Sequence, residues 1–283
     1  MRIHLFFLAI LASITFVVAP SQAHERLADT ITCEGCPTFV RVPTSDETKI
    51  THVARYELTW NQYLAAFDSG VCPLPPLFDR NYQPLRIETD DALFSELRRD
   101  YPISNLRPSD IQCYIEWLTA RIGKSVRLPS YKEWEWIARS GVPIRRFPWG
   151  DEEDPAREAL VSEYVFEVLR QPHVNQVKDT RVSHIILGTH VGLFPPTEWG
   201  LYDLLGNVPE LTSDVINQSN VKRYREELGI PIGLSSDRSR IIKGLILDRG
   251  RSDFWREGIS KTGIVREANN GFSFAAGVRL VLE

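Results

Sequence analysis

A chain of 283 residues with 43% hydrophobic content can bury one sizeable core, and its composition excludes a disordered or fibrous polymer. Its 33 basic and 37 acidic side chains leave a net charge of −4, which argues against the basic face a nucleic-acid partner needs. The arginine clusters at Arg145-Arg146, Lys222–Arg225 and Arg249–Arg256 are mostly interleaved with acids and read as solvated surface.

Met1–Ala23 stands apart from the rest of the chain. Arg2 and His4 precede an apolar run from Leu5 to Ala19, and Ser21-Gln22-Ala23 places small residues at a cleavage position. This is the pattern of a secretory signal peptide cut after Ala23, with an uncleaved anchor as the alternative. The run is short for a membrane span. The expectation is an exported protein, periplasmic or extracellular, with 24–283 as one domain and no membrane span after cleavage.

Export bears on the four cysteines, Cys33, Cys36, Cys72 and Cys113. An even number in an oxidising compartment favours disulfides, and four cysteines allow three pairings. Cys33-Glu34-Gly35-Cys36 is a CxxC. A redox-active version would open a helix that lowers its thiol pKa; here Pro37 and a strand-like run come next, so the expectation is a structural clip. A zinc site using all four thiolates is the weaker alternative outside the cytosol.

Thr38–Pro43 alternates apolar and polar residues and predicts a first strand, and His52–Thr59 predicts another. Thr59 and Gln62 form a capping box for a helix whose face is Trp60, Tyr63, Leu64 and Phe67, ending near Gly70. Cys72–Tyr101 reads as a surface excursion with a short helix over Asp90–Arg98. Pro108 at a first helical position opens the next helix, with Ile111, Tyr114, Ile115, Leu118 and Ile122 as its buried stripe and Gly123 at its end.

Ser130 and Glu133 form a second capping box. Trp134, Ile137 and Ala138 give that short helix one apolar face, and Arg139 and Gly141 are its stop signals. Phe147-Pro148-Trp149-Gly150-Asp151 then makes an aromatic turn ending in a carboxylate. Three tryptophans in sixteen residues bury large areas only if the chain wraps around them, so this segment is read as core. Asp154–Leu169 predicts an amphipathic helix, and Gln218–Arg240 an exposed polar insertion. Ile241–Leu247, Ser273–Val278 and Arg279–Leu282 read as closing strands. Short strands, few helices and long connections indicate an α+β domain without internal repeats.

Two motifs carry a resemblance. Arg127-Leu128-Pro129 with Glu133-Trp134-Glu135, Ala138-Arg139 and Gly141, followed by Pro148-Trp149-Gly150-Asp151, is similar to the signature of the formylglycine-generating enzyme (sulfatase-modifying factor) family. Gly200-Leu201-Tyr202-Asp203-Leu204-Leu205-Gly206-Asn207-Val208 resembles the second half of that signature. The resemblance implies the loop-rich, C-type-lectin-like variant fold of that family. Exported members resembling it also begin with a Cys-x-x-Cys-Pro ahead of the first strand, which fits the structural clip.

The family chemistry uses copper(I) held by two cysteines placed after the second motif, and soft thiolates are what that ion selects. The last cysteine of this chain is Cys113, and Ile242–Gly250 holds none, so copper is not expected. Calcium is implied instead, with oxygen ligands from Leu205, Gly206, Val208 and Glu210, and Asn175 from a second loop. Pro209 departs from the family pattern and restricts Val208 to extended geometry. The resemblance puts a substrate or partner groove near Arg249, Asp253, Trp255 and Arg256. His173, His184 and His190 are too widely spaced for a metal pair on one helix. No GxSxG, HExxH or P-loop competes.

The resulting expectation is an exported member of this family without its copper cysteines, acting as a non-catalytic binding or accessory module on an unknown protein or peptide in the cell envelope. The rival is a cysteine-independent oxidoreductase or maturation enzyme of the same superfamily, which would need another metal or a perturbed acid/base pair. A structural partner in the cell envelope is a third option.

Overall fold

Both capping boxes form where their sequences place them. Thr59 accepts from the Gln62 amide and Gln62 reaches back to the Thr59 amide; Ser130 and Glu133 do the same. The computed structural model describes residues 29–45, 48–75, 77–78, 84–85, 100–104, 106–152, 189–229, 232, 238–244, 262–268, 271–272 and 276–283. Its first half runs β1 (Thr30–Ile31), β2 (Phe39–Arg41), β3 (His52–Ala54), α1 (Trp60–Asp68), β4 (Leu77–Phe78), β5 (Pro84–Leu85), α2 (Pro108–Ile122), β6 (Val126–Arg127) and α3 (Tyr131–Ala138). The second half holds β7 (Glu210–Ile216), α4 (Val221–Leu228), β8 (Ser239–Lys243), β9 (Thr262–Ala268), β10 (Gly271–Phe272), β11 (Gly277–Val278) and β12 (Val281–Leu282). The architecture is α+β.

The first sheet has the order β1-β2-β3-β12-β6 and the second β10-β9-β8-β7-β11. Strand side chains alternate between faces, and the first sheet uses both. The cross-strand pair Phe39 and Ala54 joins the core built on α1 and α2, with Trp60, Tyr63, Tyr114 and Leu118. The next pair, Val40 and Val53, faces the opposite core, with Trp134, Ile137, Phe147 and Leu201. The last strand obeys the same rule: Leu282 enters the first core and Val281 the second. Trp134 is completely buried, as its helical spacing predicts, while Trp136 and Trp149 are partly covered. The turn after α3 closes by reciprocal backbone bonds between Phe147 and Gly150, and Asp151 accepts from the Arg146 amide at 2.9 Å.

The four cysteines form two bridges, Cys33–Cys36 and Cys72–Cys113. The first closes the turn between β1 and β2, where Gly35 has φ +72° and an added Cβ would lie 2.6 Å from that of Ala65 on α1. The second ties the exit of α1 to the first half of α2.

The expected polar insertion over Gln218–Arg240 is corrected. Its centre is α4, whose Val221 and Tyr224 are buried with Tyr131, Ile216 and Ile241 in a third core. The expected strand over His52–Thr59 stops at Ala54, and the strand over Glu210–Ile216 went unpredicted. The signal peptide and the helices expected over Asp90–Arg98 and Asp154–Leu169 lie outside the described residues. Among the described residues no helix is long and apolar enough to cross a membrane.

Candidate functional site

The second motif folds into a tight loop because two of its polar residues accept left-handed backbone: Asp203 has φ +56° and Asn207 φ +54°, which Asp and Asn tolerate better than most residues. Each then secures the same neighbouring segment. The Thr189 amide donates to Asn207 Oδ1 at 2.7 Å, and the Gly192 amide donates to Asp203 Oδ2 at 2.6 Å. The loop delivers Glu210 to the start of β7.

Glu210 is buried against Arg279, which sits between β11 and β12. Arg279 Nε and Nη2 donate to Glu210 Oε1 at 2.9 and 2.7 Å, and Trp134 Nε1 donates to Oε2 at 2.5 Å. The remaining guanidinium N–H groups go to the carbonyls of Ala54, Arg55 and Tyr202. All five donors are thus used, and none is left for the two other carboxyls nearby. Those are Glu57, fully buried just before α1, and Asp203, 7% exposed. Glu57 Oε2 receives only a 3.4 Å contact from Asn207, while Glu57 Oε1 and Asp203 Oδ1 have no hydrogen-bond partner among the described residues.

Electrostatics follow from this count. Burial first, then the neighbouring Asp203, pushes the Glu57 carboxyl well above its ordinary range. Burial raises Asp203 to about 6, although the Gly192 amide and Arg279 work the other way. For Arg279 burial opposes the charge, but Glu210 and then Glu57 outweigh it and hold the guanidinium protonated. Three carboxyls around one cation need a proton to be tolerable in the interior. The cluster can hold chain segments and a proton.

Of the residues predicted from the sequence, Leu205, Gly206, Val208 and Glu210 form this loop, and all four are buried. Both oxygens of Glu210 already accept, Oε1 twice from Arg279 and Oε2 from Trp134, which leaves one lone pair on Oε2. Asn175, Arg249, Asp253, Trp255 and Arg256 lie outside the described residues, as do His173 and His184. His190 stacks on Tyr101 with ring centroids 4.0 Å apart. Glu57 and Arg279 were missed as site residues. The only signal was their isolated charge inside otherwise apolar runs, Tyr56–Trp60 and Ala275–Leu282.

Beside the loop, a small crevice opens between the Pro148-Trp149 turn, Pro195-Pro196 and Leu201–Leu205. Its walls are mostly proline, leucine and one indole, with Asp203 as the titratable group.

A family model described as the sulfatase-modifying factor enzyme 1-like domain matches residues 38–281. The chain is 34% identical to the formylglycine-generating enzyme of Bos taurus over 148 residues, covering 52% of this chain and 35% of that protein. It is 31% identical over 119 residues to the inactive C-alpha-formylglycine-generating enzyme 2 of Bos taurus, covering 40% of this chain and 33% of that one. The structure of PvdO from Pseudomonas aeruginosa matches with a TM-score of 0.55 and 19% identity over 90% of this chain and 97% of its own, a likeness of fold. The chain spans about a third of the length of the curated relatives it matches.

Proposed function

Because the chain belongs to the sulfatase-modifying factor family, we propose that it is a non-catalytic binding or accessory module on that family's scaffold. One observation carries this reading: all four cysteine sulfurs are tied up in the Cys33–Cys36 and Cys72–Cys113 disulfides. A copper(I) centre needs deprotonated thiolates, and after Cys113 the chain has no cysteine to supply one. A relative whose name records it as inactive, from Bos taurus, supports the parallel.

The test is direct. Purified protein is supplied with copper(I), dioxygen and a cysteine peptide of the sulfatase type, and the peptide is followed by mass spectrometry. No conversion above the peptide alone is expected; conversion by the folded protein would overturn the reading. The rival, a cysteine-independent oxidoreductase, needs a redox metal or an acid/base pair open to substrate. Of the perturbed pair Glu57 and Asp203, Glu57 is completely buried and Asp203 lies at the wall of the crevice with 7% exposure. Stoichiometric copper or iron in the purified protein would favour that rival.

The reading extends to a protein or peptide partner in the cell envelope, recognised through Arg249, Asp253, Trp255 and Arg256. Trp255→Ala is expected to lose such a partner while keeping the wild-type melting temperature. Export is proposed on the apolar run Leu5–Ala19 and supported by two disulfides, which persist in oxidising compartments. N-terminal sequencing of the mature protein is expected to begin at His24.

A further inference from the structure

We infer that the Leu205–Glu210 loop of this protein is closed by the guanidinium of Arg279 in place of a calcium ion, so that its fold is independent of calcium. The inference does not depend on whether the module binds or catalyses.

Calcium gathers roughly six to eight oxygen ligands; Glu210 is the one carboxylate within the loop, with Asp203 and Glu57 beside it around the same guanidinium. Oε1 has two lone pairs, and Nε and Nη2 of Arg279 take both, at 2.9 and 2.7 Å. Oε2 is occupied by the Trp134 indole N–H at 2.5 Å. A divalent ion at the one remaining lone pair would share a carboxylate with a fully buried guanidinium, where water cannot screen the repulsion. Arg279 cannot step aside, because its other three N–H groups are fixed on the carbonyls of Ala54, Arg55 and Tyr202.

The loop is also stitched shut without a metal. The Gly277 amide donates to the Pro209 carbonyl at 2.8 Å, tying the loop backbone to β11. Asn207 and Asp203 each accept from the backbone of the 189–192 segment. The cation this loop organises around is covalently part of the chain.

The experiment compares thermal melts of the purified protein, first stripped with EDTA, with and without millimolar calcium, together with elemental analysis of unstripped material. The expected result is a melting temperature unchanged within about 1 °C and less than a tenth of a calcium per chain. A specific site saturated at a hundredfold excess over its Kd would raise the midpoint by about 5 °C or more, and that rise, or one calcium per chain, overturns the inference. Glu210→Gln provides a second readout. Its destabilisation is expected to be the same in EDTA and in calcium, since the lost partner is Arg279; a loss seen in calcium alone would overturn the inference equally. If the variant does not fold, the wild-type melts and the metal content still decide.

Discussion

Two carboxylates of opposite shift set how this protein responds to pH. Arg127 grips Glu133 through both guanidinium ends, at 2.8 and 2.7 Å, and the Ser130 amide adds a third bond. Burial alone would raise Glu133, but these partners prevail and lower it to about 2. A depressed carboxyl contributes stability above its unfolded pKa, lost as pH falls from about 4.5 to about 2, here on the order of 2 to 3 kcal/mol. Asp203 carries the opposite sign. Held up at about 6 by burial, it binds a proton more tightly folded than unfolded, so its contribution is full below about pH 4 and is lost as pH rises to about 6. The expected outcome is a melting temperature that peaks near pH 4 and declines on both sides. Glu133→Gln should flatten the acid limb and Asp203→Asn the limb between about pH 4 and 6, the Asn oxygen still accepting from Gly192. Melts of the three proteins from pH 2 to 8 check this; a wild-type profile flat between pH 4 and 6 would contradict the burial of Asp203.

The helix starts were readable because their determinants are local: Thr59 with Gln62, Pro108, and Ser130 with Glu133 each lie within four residues of what they cap. Those signals predicted α1, α2 and α3 with their apolar faces. β7 failed for the opposite reason. Glu210–Ile216 pairs with β8 some thirty residues later and with β11 near the chain end, and nothing within seven residues announces partners that distant. α4 was hidden by its charge: Lys222, Arg223, Arg225, Glu226 and Glu227 dominate it, and Val221 and Tyr224, with Leu228 partly covered, turn inward. Similarly, Glu57 and Arg279 lie 222 positions apart, so their shared cluster could not be inferred from either neighbourhood. The disulfides allow a sharper statement at this scale. In the chain-entropy view a bridge stabilises according to the loop it closes, about 2 kcal/mol for the short Cys33–Cys36 turn and nearly 4 for Cys72–Cys113. Replacing Cys72 and Cys113 by Ser should therefore lower the denaturation midpoint about twice as far as replacing Cys33 and Cys36. Urea unfolding of both double variants measures it; equal losses would show that native packing, such as Gly35 against Ala65, decides instead.

At the scale of the whole molecule, the order of the strands ties both sheets and the first two cores to the last seven residues. β11 is the edge partner of β7 in the second sheet, and four residues later β12 lies between β3 and β6 inside the first. Arg279 bridges the two and reaches carbonyls on the β3 side, the loop carbonyl of Tyr202 and the carboxylate of Glu210. The Leu58 amide is held by Val278 and the Ala54 amide by Leu280. Removing Arg279–Glu283 would leave β3 and β6 without the strand between them, expose Phe39 and Val53, and strand three buried carboxyls without their cation. An unpaired buried charge costs several kcal/mol, and open strand edges invite association. Together these approach the entire margin of a typical domain, about 5 to 15 kcal/mol. A chain ending at Val278 is accordingly expected to be unfolded or aggregated, whereas removal of Glu283 alone, which costs a part-exposed ion pair with Arg127 and one backbone bond to the Ser125 carbonyl, should leave the melting temperature within about 2 °C. Circular dichroism and limited proteolysis of the two truncations measure the difference. A folded, protease-resistant protein ending at Val278 would mean that the two sheets hold together without the strand and guanidinium that join them.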